Sequence, residues 1–328
     1  MRRIPIFFTF DNNYVEPAAV AFYSLLNKAS KDVYYEMYVL SSNLPDERKA
    51  LLQSVVSKFN NSCLNFIETG NFLDKYWNNG TFLSQQSGSV FTSDTIVRCF
   101  AARFFPQYDR IIYSDVDVVF MDDISDLYDA NLDGKYIAAV KSVFIKQHPE
   151  EIEHLKPMHF EMLKDSYFAG GIWLLNLDMI RRDNLELEMI DVIKDSTIIK
   201  KWNDQDIMNI VCKNKVEFIP LNYISYPYLL NIISNENFTS HYSRDELYDS
   251  IINPKILHFA AEKPWNGSPN YNQVWWSIFC FLKLKKTNIF VDRKRTLERK
   301  IKKYRICSVS LAVLVVVLLI VLAYAYNL

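Results

Sequence analysis

The chain has 328 residues, 50% of them hydrophobic and 15% aromatic, enough apolar surface for one large domain with a substantial core. Its 7 glycines argue against a glycine-rich phosphate loop, and neither G-x-G-x-x-G nor G-x-x-x-x-G-K-[ST] occurs. The formal net charge of -1 hides an asymmetry: eleven Lys or Arg against Asp292 and Glu298 give residues 283–305 a balance of +9 and leave -10 for the rest, an acidic body for which no nucleic-acid partner is expected.

In chain order, Arg2 and Arg3 precede an apolar run that Pro5 and Asp11 break too early for a signal sequence, so residues 4–10 are predicted as a first, central strand. The strand ends at Asp11-Asn12-Asn13-Tyr14. Pro17 fits a helix start and predicts a helix over 18–28, followed by a strand over 33–40, helical spacing over 45–59 and a short strand over 64–67. Residues 69–90 are rich in Asn, Ser, Gln and Gly and are expected to form a long loop or lid. Thr92 or Ser93 then caps a predicted helix that runs to Phe105 and carries Arg98. The front half of the stretch 110–120 is an apolar run of the kind that fills a buried strand, and it runs out into a loop at Asp115-Val116-Asp117. Beyond it come a strand over 136–140, a helix over 150–163, a strand over 167–177 around Gly170-Gly171, a helix from Asn203 through Val211, and a short strand over 255–259 that holds His258. Alternating strands and helices predict an α/β domain with a mainly parallel sheet, in which ligands lie beyond the carboxyl ends of strands.

The five cysteines, Cys63, Cys99, Cys212, Cys280 and Cys307, are scattered without pairing or metal spacing and suggest a reducing compartment. Residues 306–326 hold no charged side chain and are dense in Val and Leu, long enough to cross a bilayer of roughly 30 Å as a helix. With the basic residues before the span, the positive-inside rule places the main domain in the cytoplasm. The expected organisation is a main domain over 1–282, a basic juxtamembrane segment over 283–305 and a single C-terminal transmembrane helix over 306–326.

Residues i and i+2 of an extended chain share a side, so Asp115 and Asp117 can converge on one point, where two unscreened anions repel and a divalent cation relieves the repulsion. Mg²⁺ or Mn²⁺ held by few carboxylates completes its shell with phosphate oxygens, which is the chemistry of a nucleotide-diphosphate site. Asp-x-Asp also occurs in solvated turns. Asp11-Asn12-Asn13-Tyr14 offers a carboxylate, an amide and an aromatic face, groups that can hold a uracil by its edge and its ring; the same residues also make a plain Asx turn. His258 follows an apolar pair and serves either as a ligand or as a core residue, and Lys263 next to it can pair a diphosphate or be solvated.

Taken in order, Phe10-Asp11-Asn12-Asn13-Tyr14, the Arg98 segment, Ile112-Tyr113-Ser114-Asp115-Val116-Asp117, Tyr167-Phe168-Ala169-Gly170-Gly171, Asp204-Gln205-Asp206 and His258-Phe259 with Lys263-Pro264-Trp265 resemble the retaining nucleotide-sugar transferases of family 8. Among these the chain is most similar to the bacterial galactosyl- and glucosyltransferases that build lipopolysaccharide or lipooligosaccharide. The resemblance spans residues 4–265 and implies a GT-A fold, a UDP-sugar donor, a glycan acceptor and Mn²⁺ or Mg²⁺. It implies that Asp115, Asp117 and His258 hold the metal, and that Thr9, Asp11, Asn13 and Tyr14 hold the uracil. Arg98, Val116 and Lys263 would contact the rest of the donor, with Asp204 on its sugar and Gln205 against the anomeric carbon. The chain departs from the family pattern at Ala169, where Asn is usual, at Lys141-Ser142, where an acidic residue is often found, and in the short His258-to-Lys263 loop with Ala261 near a usual glycine. The function expected is hexosyl transfer to a lipid-linked or lipopolysaccharide-like acceptor at the membrane. Two rivals remain: an inactive nucleotide-sugar-binding or scaffolding protein, and a phosphohydrolase built on the acidic pair, which would need further metal ligands.

Overall fold

The computed structural model describes residues 1–70, 96–155, 163–195, 201–234 and 240–287. Apolar runs become two of the central strands, β1 (Arg2–Thr9), buried throughout from Ile4 onward, and β4 (Arg110–Ser114); β2 (Val33–Ser41) alternates buried and half-buried positions around Glu36, and β3 (Ser62–Glu68) lies at the edge. A short ribbon strand, β5 (Val118–Phe120), follows β4, and then come β6 (Ile137–Lys141), β7 (Phe168–Asn176), β8 (Val216–Phe218) and β9 (Ile256–His258). The helices in chain order are α1 (Val15–Lys28), α2 (Asp46–Val56), α3 (Ala101–Phe104), α4 (Val143–Gln147), α5 (Leu177–Arg182), α6 (Leu185–Lys194), α7 (Asp204–Val211), α8 (Leu229–Ile233), α9 (Arg244–Ile252) and α10 (Asn272–Phe281).

The seven-stranded sheet has the order β3-β2-β1-β4-β7-β6-β8. Its pairings are parallel except that β7 runs against both neighbours, β4 and β6. This reversal puts the start of β7, with Gly170 and Gly171, beside the end of β4, where the Asp115 N–H donates to the Gly171 carbonyl at 3.0 Å. A separate two-stranded ribbon pairs β5 with β9 antiparallel, Val118 opposite His258.

Strand alternation divides the core between the two faces of the sheet. Ile4, Ile6, Phe8 and Ile112 face one hydrophobic cluster, together with α1 and α2. Phe7, Ile111, Tyr113 and Trp173 face another, under α5, α6 and α7. Burial on both faces is why these strands read as continuous apolar runs. Helix α1 is nearly all interior, so its polar members need partners. Glu16 is clasped by Arg48 at 2.7 and 2.6 Å. Ser24 accepts the Phe120 N–H at 3.0 Å and donates to the Ala21 carbonyl at 2.8 Å, which ties β5 to the helix.

Several expectations need correction. The helix foreseen to carry Arg98 is a single 3₁₀ turn, Val97–Phe100, running into the one-turn α3, and its proposed cap at Thr92 or Ser93 lies outside the described residues. The helix foreseen over 150–163 begins as a 3₁₀ segment, Pro149–Leu155, and residues 156–162 are outside the described part. Asp115 and Asp117 stand where β4 runs out, as expected, and what the sequence did not show is that the break they occupy leads into β5 of a separate ribbon. Most of the 69–90 loop, most of the basic segment and the whole 306–326 span also fall outside the described residues. Among the described residues no helix is long and apolar enough to cross a membrane. Helices α4, α5, α6, α8, α9 and α10 were not anticipated, although Ser243 and Glu246 form a full capping box at the start of α9.

Because the Phe120 N–H faces Ser24 inside the protein, Ser24→Ala leaves a buried donor unpaired and should lower unfolding stability by about 1–3 kcal/mol. A denaturant midpoint equal to that of the parent would show that β5 does not depend on this bond.

Candidate active site beyond the carboxyl ends of the central strands

The acidic pair is positioned by three backbone constraints: the end of β4, the bond from Asp115 to Gly171, and the β5–β9 ribbon, where the Phe259 N–H donates to the Asp117 carbonyl at 2.9 Å. The ribbon brings His258 to the carboxylates. Its Nε2 lies 3.4 Å from Asp115 Oδ2 and 3.2 Å from Asp117 Oδ1. The Lys263 ammonium pairs with Asp117 Oδ2 and also donates to the carbonyls of Phe259 at 2.8 Å and Ala260 at 3.0 Å. Burial pushes the Asp117 carboxyl up, but Lys263 and His258 outweigh it and hold the group well below the ordinary carboxylate range. Burial likewise opposes protonation of His258, yet the two carboxylates raise its pKa to about 9. Lys263 is raised in the same way, by Asp117 against burial.

These residues fit a divalent cation. One ligand atom from each of Asp115, Asp117 and His258 lies within 4.8 Å of the others. Two carboxylates and an imidazole are a hard-to-intermediate donor set suited to Mn²⁺ or Mg²⁺, with positions left for phosphate oxygens. The ring is fixed with Nε2 toward the carboxylates, while Nδ1 is buried with no hydrogen-bond partner among the described residues. Gly171 makes room for that ring: a Cβ there would sit 2.5 Å from Nδ1 and 2.6 Å from Ile224 Cδ1.

Arg98 joins this cluster to α7. Its Nη1 lies 2.5 Å from Asp115 Oδ1, and its Nε donates to Asp204 Oδ2 at 2.6 Å. The guanidinium lies 4.8 Å from the Tyr113 ring centroid and 5.0 Å from that of Trp173. Those two rings belong to directly opposed residues of β4 and β7. Burial pushes the Asp204 carboxyl up to about 6, with Arg98 pulling the other way. Gln205 follows Asp204 and faces Gly170, where an added Cβ would come within 3.0 Å of its Oε1. Asp206 does not share the site. It accepts from Tyr167 Oη at 2.6 Å and the Trp202 N–H at 2.9 Å, and pairs with His154 Nε2 at 2.8 Å. With the Asn209 amide bonded to both backbone groups of Phe168, this network locks the start of α7 against β7.

The residues foreseen for a uracil lie on the Lys263 side. Tyr14 meets Trp265 edge-on at 5.8 Å; burial raises its pKa and the charge of Lys263 opposes the rise. Asp11 and Asn13 bond first to each other, through the Asn13 N–H at 2.9 Å and its amide at 3.2 Å, so the Asx turn exists as a structural element in its own right. Thr9 ends β1, next to β4. Val116, between the two carboxylates, packs its side chain into the core with 4% exposure. Structure adds residues that motif reading missed: Tyr113 and Trp173 under Arg98, and the aromatic walls of a cavity of 540 Å³ beside Gln205. Nothing in the local sequence marks them, because their roles depend on strand register and on loops far apart in the chain.

Comparison with known proteins bears on this arrangement. The family model described as glycosyl transferase family 8 matches residues 5–268. A putative glycosyltransferase of Haemophilus influenzae is 25% identical over 232 residues, 71% of this chain and 66% of that protein. A lipopolysaccharide 1,2-glucosyltransferase of Escherichia coli K12 is 28% identical over 167 residues, 51% of this chain and 47% of its own length. The chain thus spans from about half to two thirds of these two relatives. The galactosyltransferase LgtC, solved with donor and acceptor sugar analogs, superposes with a TM-score of 0.67 at 18% identity, covering 86% of this chain and 98% of that one. The bifunctional glycosyltransferase WbbM gives 0.68 at 23% identity, covering 85% of this chain and 50% of that one. The fold is therefore the α/β GT-A type with a mainly parallel central sheet.

The close packing of Gly171 on His258 and Ile224 predicts that Gly171→Ala costs about 1–3 kcal/mol of stability by overpacking. Chemical denaturation reads this directly, and a parent-like midpoint would show that the imidazole and Ile224 shift at no cost.

Proposed function

Because the chain belongs to glycosyl transferase family 8, we propose that it is a metal-dependent, retaining transferase that moves glucose or galactose from a UDP-sugar to a cell-envelope glycan. The observation that carries this reading is the convergence of Asp115, Asp117 and His258 on one point, with Lys263 beside them. Asp115 and Asp117 through their carboxylates, and His258 through Nε2, would hold Mn²⁺ or Mg²⁺. When bound, the ion supplies Lewis-acid neutralisation of the charge that grows on the departing diphosphate. Lys263 adds a second positive group on the same side, so departure of UDP needs no general acid.

The other residues bind and orient. Tyr14, with Asp11, Asn13 and Thr9, holds the uracil; Asp204 takes the donor sugar's hydroxyls; Arg98 keeps Asp204 and Asp115 at fixed separation. Gln205 lies nearest the anomeric carbon in this scheme, and its carboxamide is too weak a nucleophile to do more than hydrogen-bond there. Hexose transfer to a lipopolysaccharide-like acceptor is supported by the Escherichia coli relative, whose name states that activity.

In this reading residues 306–326 anchor the protein, with the basic 283–305 segment against the inner leaflet at roughly 1 kcal/mol per Lys or Arg near anionic lipid. Anchoring confines the domain and a lipid-linked acceptor to one plane and raises their effective concentration.

Release of UDP from UDP-glucose and UDP-galactose tests the activity. It should require added Mn²⁺ or Mg²⁺, stop on chelation, and fall by about a hundredfold or more in Asp117→Ala. Turnover retained by that variant at saturating metal would remove Asp117 from the mechanism, and the absence of UDP release from both donors would favour a binding protein. Deletion of residues 306–328 should move the protein from the membrane fraction to the soluble one while UDP release continues; a truncated protein that still sediments with membranes would refute the anchor.

A further inference from the structure

The cavity beside Gln205 is walled by Phe144, Trp202, Tyr226 and Tyr228, with His148 also on its lining; among the described residues no Asp, Glu, Lys or Arg lines it. Its volume, 540 Å³, falls in the range of roughly 300–1,000 Å³ usual for small-molecule sites. Phe144 and Trp202 meet edge-on at 5.9 Å. Tyr226 and Tyr228 stack at 5.0 Å and 16°, and the Tyr226 ring lies 5.7 Å from that of His258. The three rings form a column that starts at the metal cluster and ends at Tyr228. Gln147, on the cavity wall, keeps a buried Nε2 with no hydrogen-bond partner among the described residues.

Tyr228, Ala260 and Ala261 also line a second cavity, of 240 Å³, to which Asn231, Glu262, Ser268 and Asn270 add polar groups beside Pro227, Phe259 and Pro269. The two spaces therefore adjoin across one aromatic ring and a pair of small residues. Aromatic walls with a few hydrogen-bonding groups suit the apolar C–H face of a pyranose, whereas an anion in the first cavity would be desolvated and would find there only His148, whose Nδ1 is already paired with Glu150 Oε1 at 3.1 Å. Glu262 makes the second cavity equally unsuited to a phosphate or carboxylate.

We propose that the acceptor is an uncharged oligosaccharide of at least two residues. Its terminal sugar occupies the aromatic cavity with a hydroxyl toward Gln205, and the next sugar occupies the polar cavity across Tyr228. This assignment rests on the transferase reading above and adds to it the acceptor's charge, its minimum length and the side chain that divides the two positions.

The test is retention on an array of immobilised neutral monosaccharides, neutral oligosaccharides and their phosphorylated or uronic-acid counterparts, using the full chain with Mn²⁺ and UDP. Neutral oligosaccharides should be retained, and monosaccharides and anionic glycans should not. Tyr228→Ala and Asn231→Trp should each weaken retention about tenfold. Tyr228→Phe, which keeps the ring, should bind like the parent, and thermal melting of each variant confirms that it is folded. Preference for anionic glycans, equal retention of monosaccharides, no retained glycan, or retention unchanged in both Tyr228→Ala and Asn231→Trp would overturn the proposal. UDP release from donor without acceptor, measured on the same preparations, tests the transferase reading separately: release with no retained glycan refutes the acceptor assignment alone, and absence of release refutes both.

Discussion

The site is organised around one buried cation. Arg98 is 8% exposed and spans Asp115, in the metal cluster, and Asp204, at the start of α7. A charge so far from water persists only if its hydrogen-bonding capacity is met by opposite charge, and here two carboxylates and two aromatic faces meet it. Loss of either carboxylate would leave a buried guanidinium short of a partner, a situation that costs about 3–5 kcal/mol where it has been measured in other proteins. The Asp115-Asp117 pair and the Asp204-Gln205 pair are therefore one electrostatic unit, although more than eighty residues separate them in the chain. Changes at Arg98, Asp115 and Asp204 should be strongly non-additive.

The topology makes this unit possible. A wholly parallel sheet would bring the carboxyl end of a strand beside β4 at this edge. The reversed β7 brings a strand start instead, and with it two adjacent glycines. Gly171 admits the His258 ring and Gly170 admits Gln205, so close approach of side chains from β9 and α7 depends on missing Cβ atoms at two successive positions.

Strands β1 and β4 were legible because burial on both faces keeps their interiors apolar, and β2 because apolar and aromatic residues flank its single charge, Glu36. Helices α6 and α10 were not: each is entered through a left-handed residue, Asn184 at φ 53° and Tyr271 at φ 62°, and neither has a side-chain cap to announce it. Asp115, Asp117 and His258 could be singled out by residue type and by position after apolar strands. The platform under Arg98 could not, because Tyr113 and Trp173 meet only through the antiparallel register of β4 and β7. Asp206 shows the reverse case. It stands in the same short acidic motif as Asp204, yet one further step along the helix turn sends it into a buried network with His154, Tyr167 and Trp202.

The β5–β9 ribbon joins Val118 to His258 across most of the described chain. Synthesis at about 5–20 residues per second means that a nascent chain carries Asp115 and Asp117 for on the order of ten seconds before His258 and Lys263 are made. During that interval the acidic loop has neither its imidazole nor its ammonium, and only Arg98, already made, to offset its charge. Completion of the Asp115-Asp117-His258 cluster is thus a late event in the life of each new molecule, and fragments that stop short of β9 cannot assemble it.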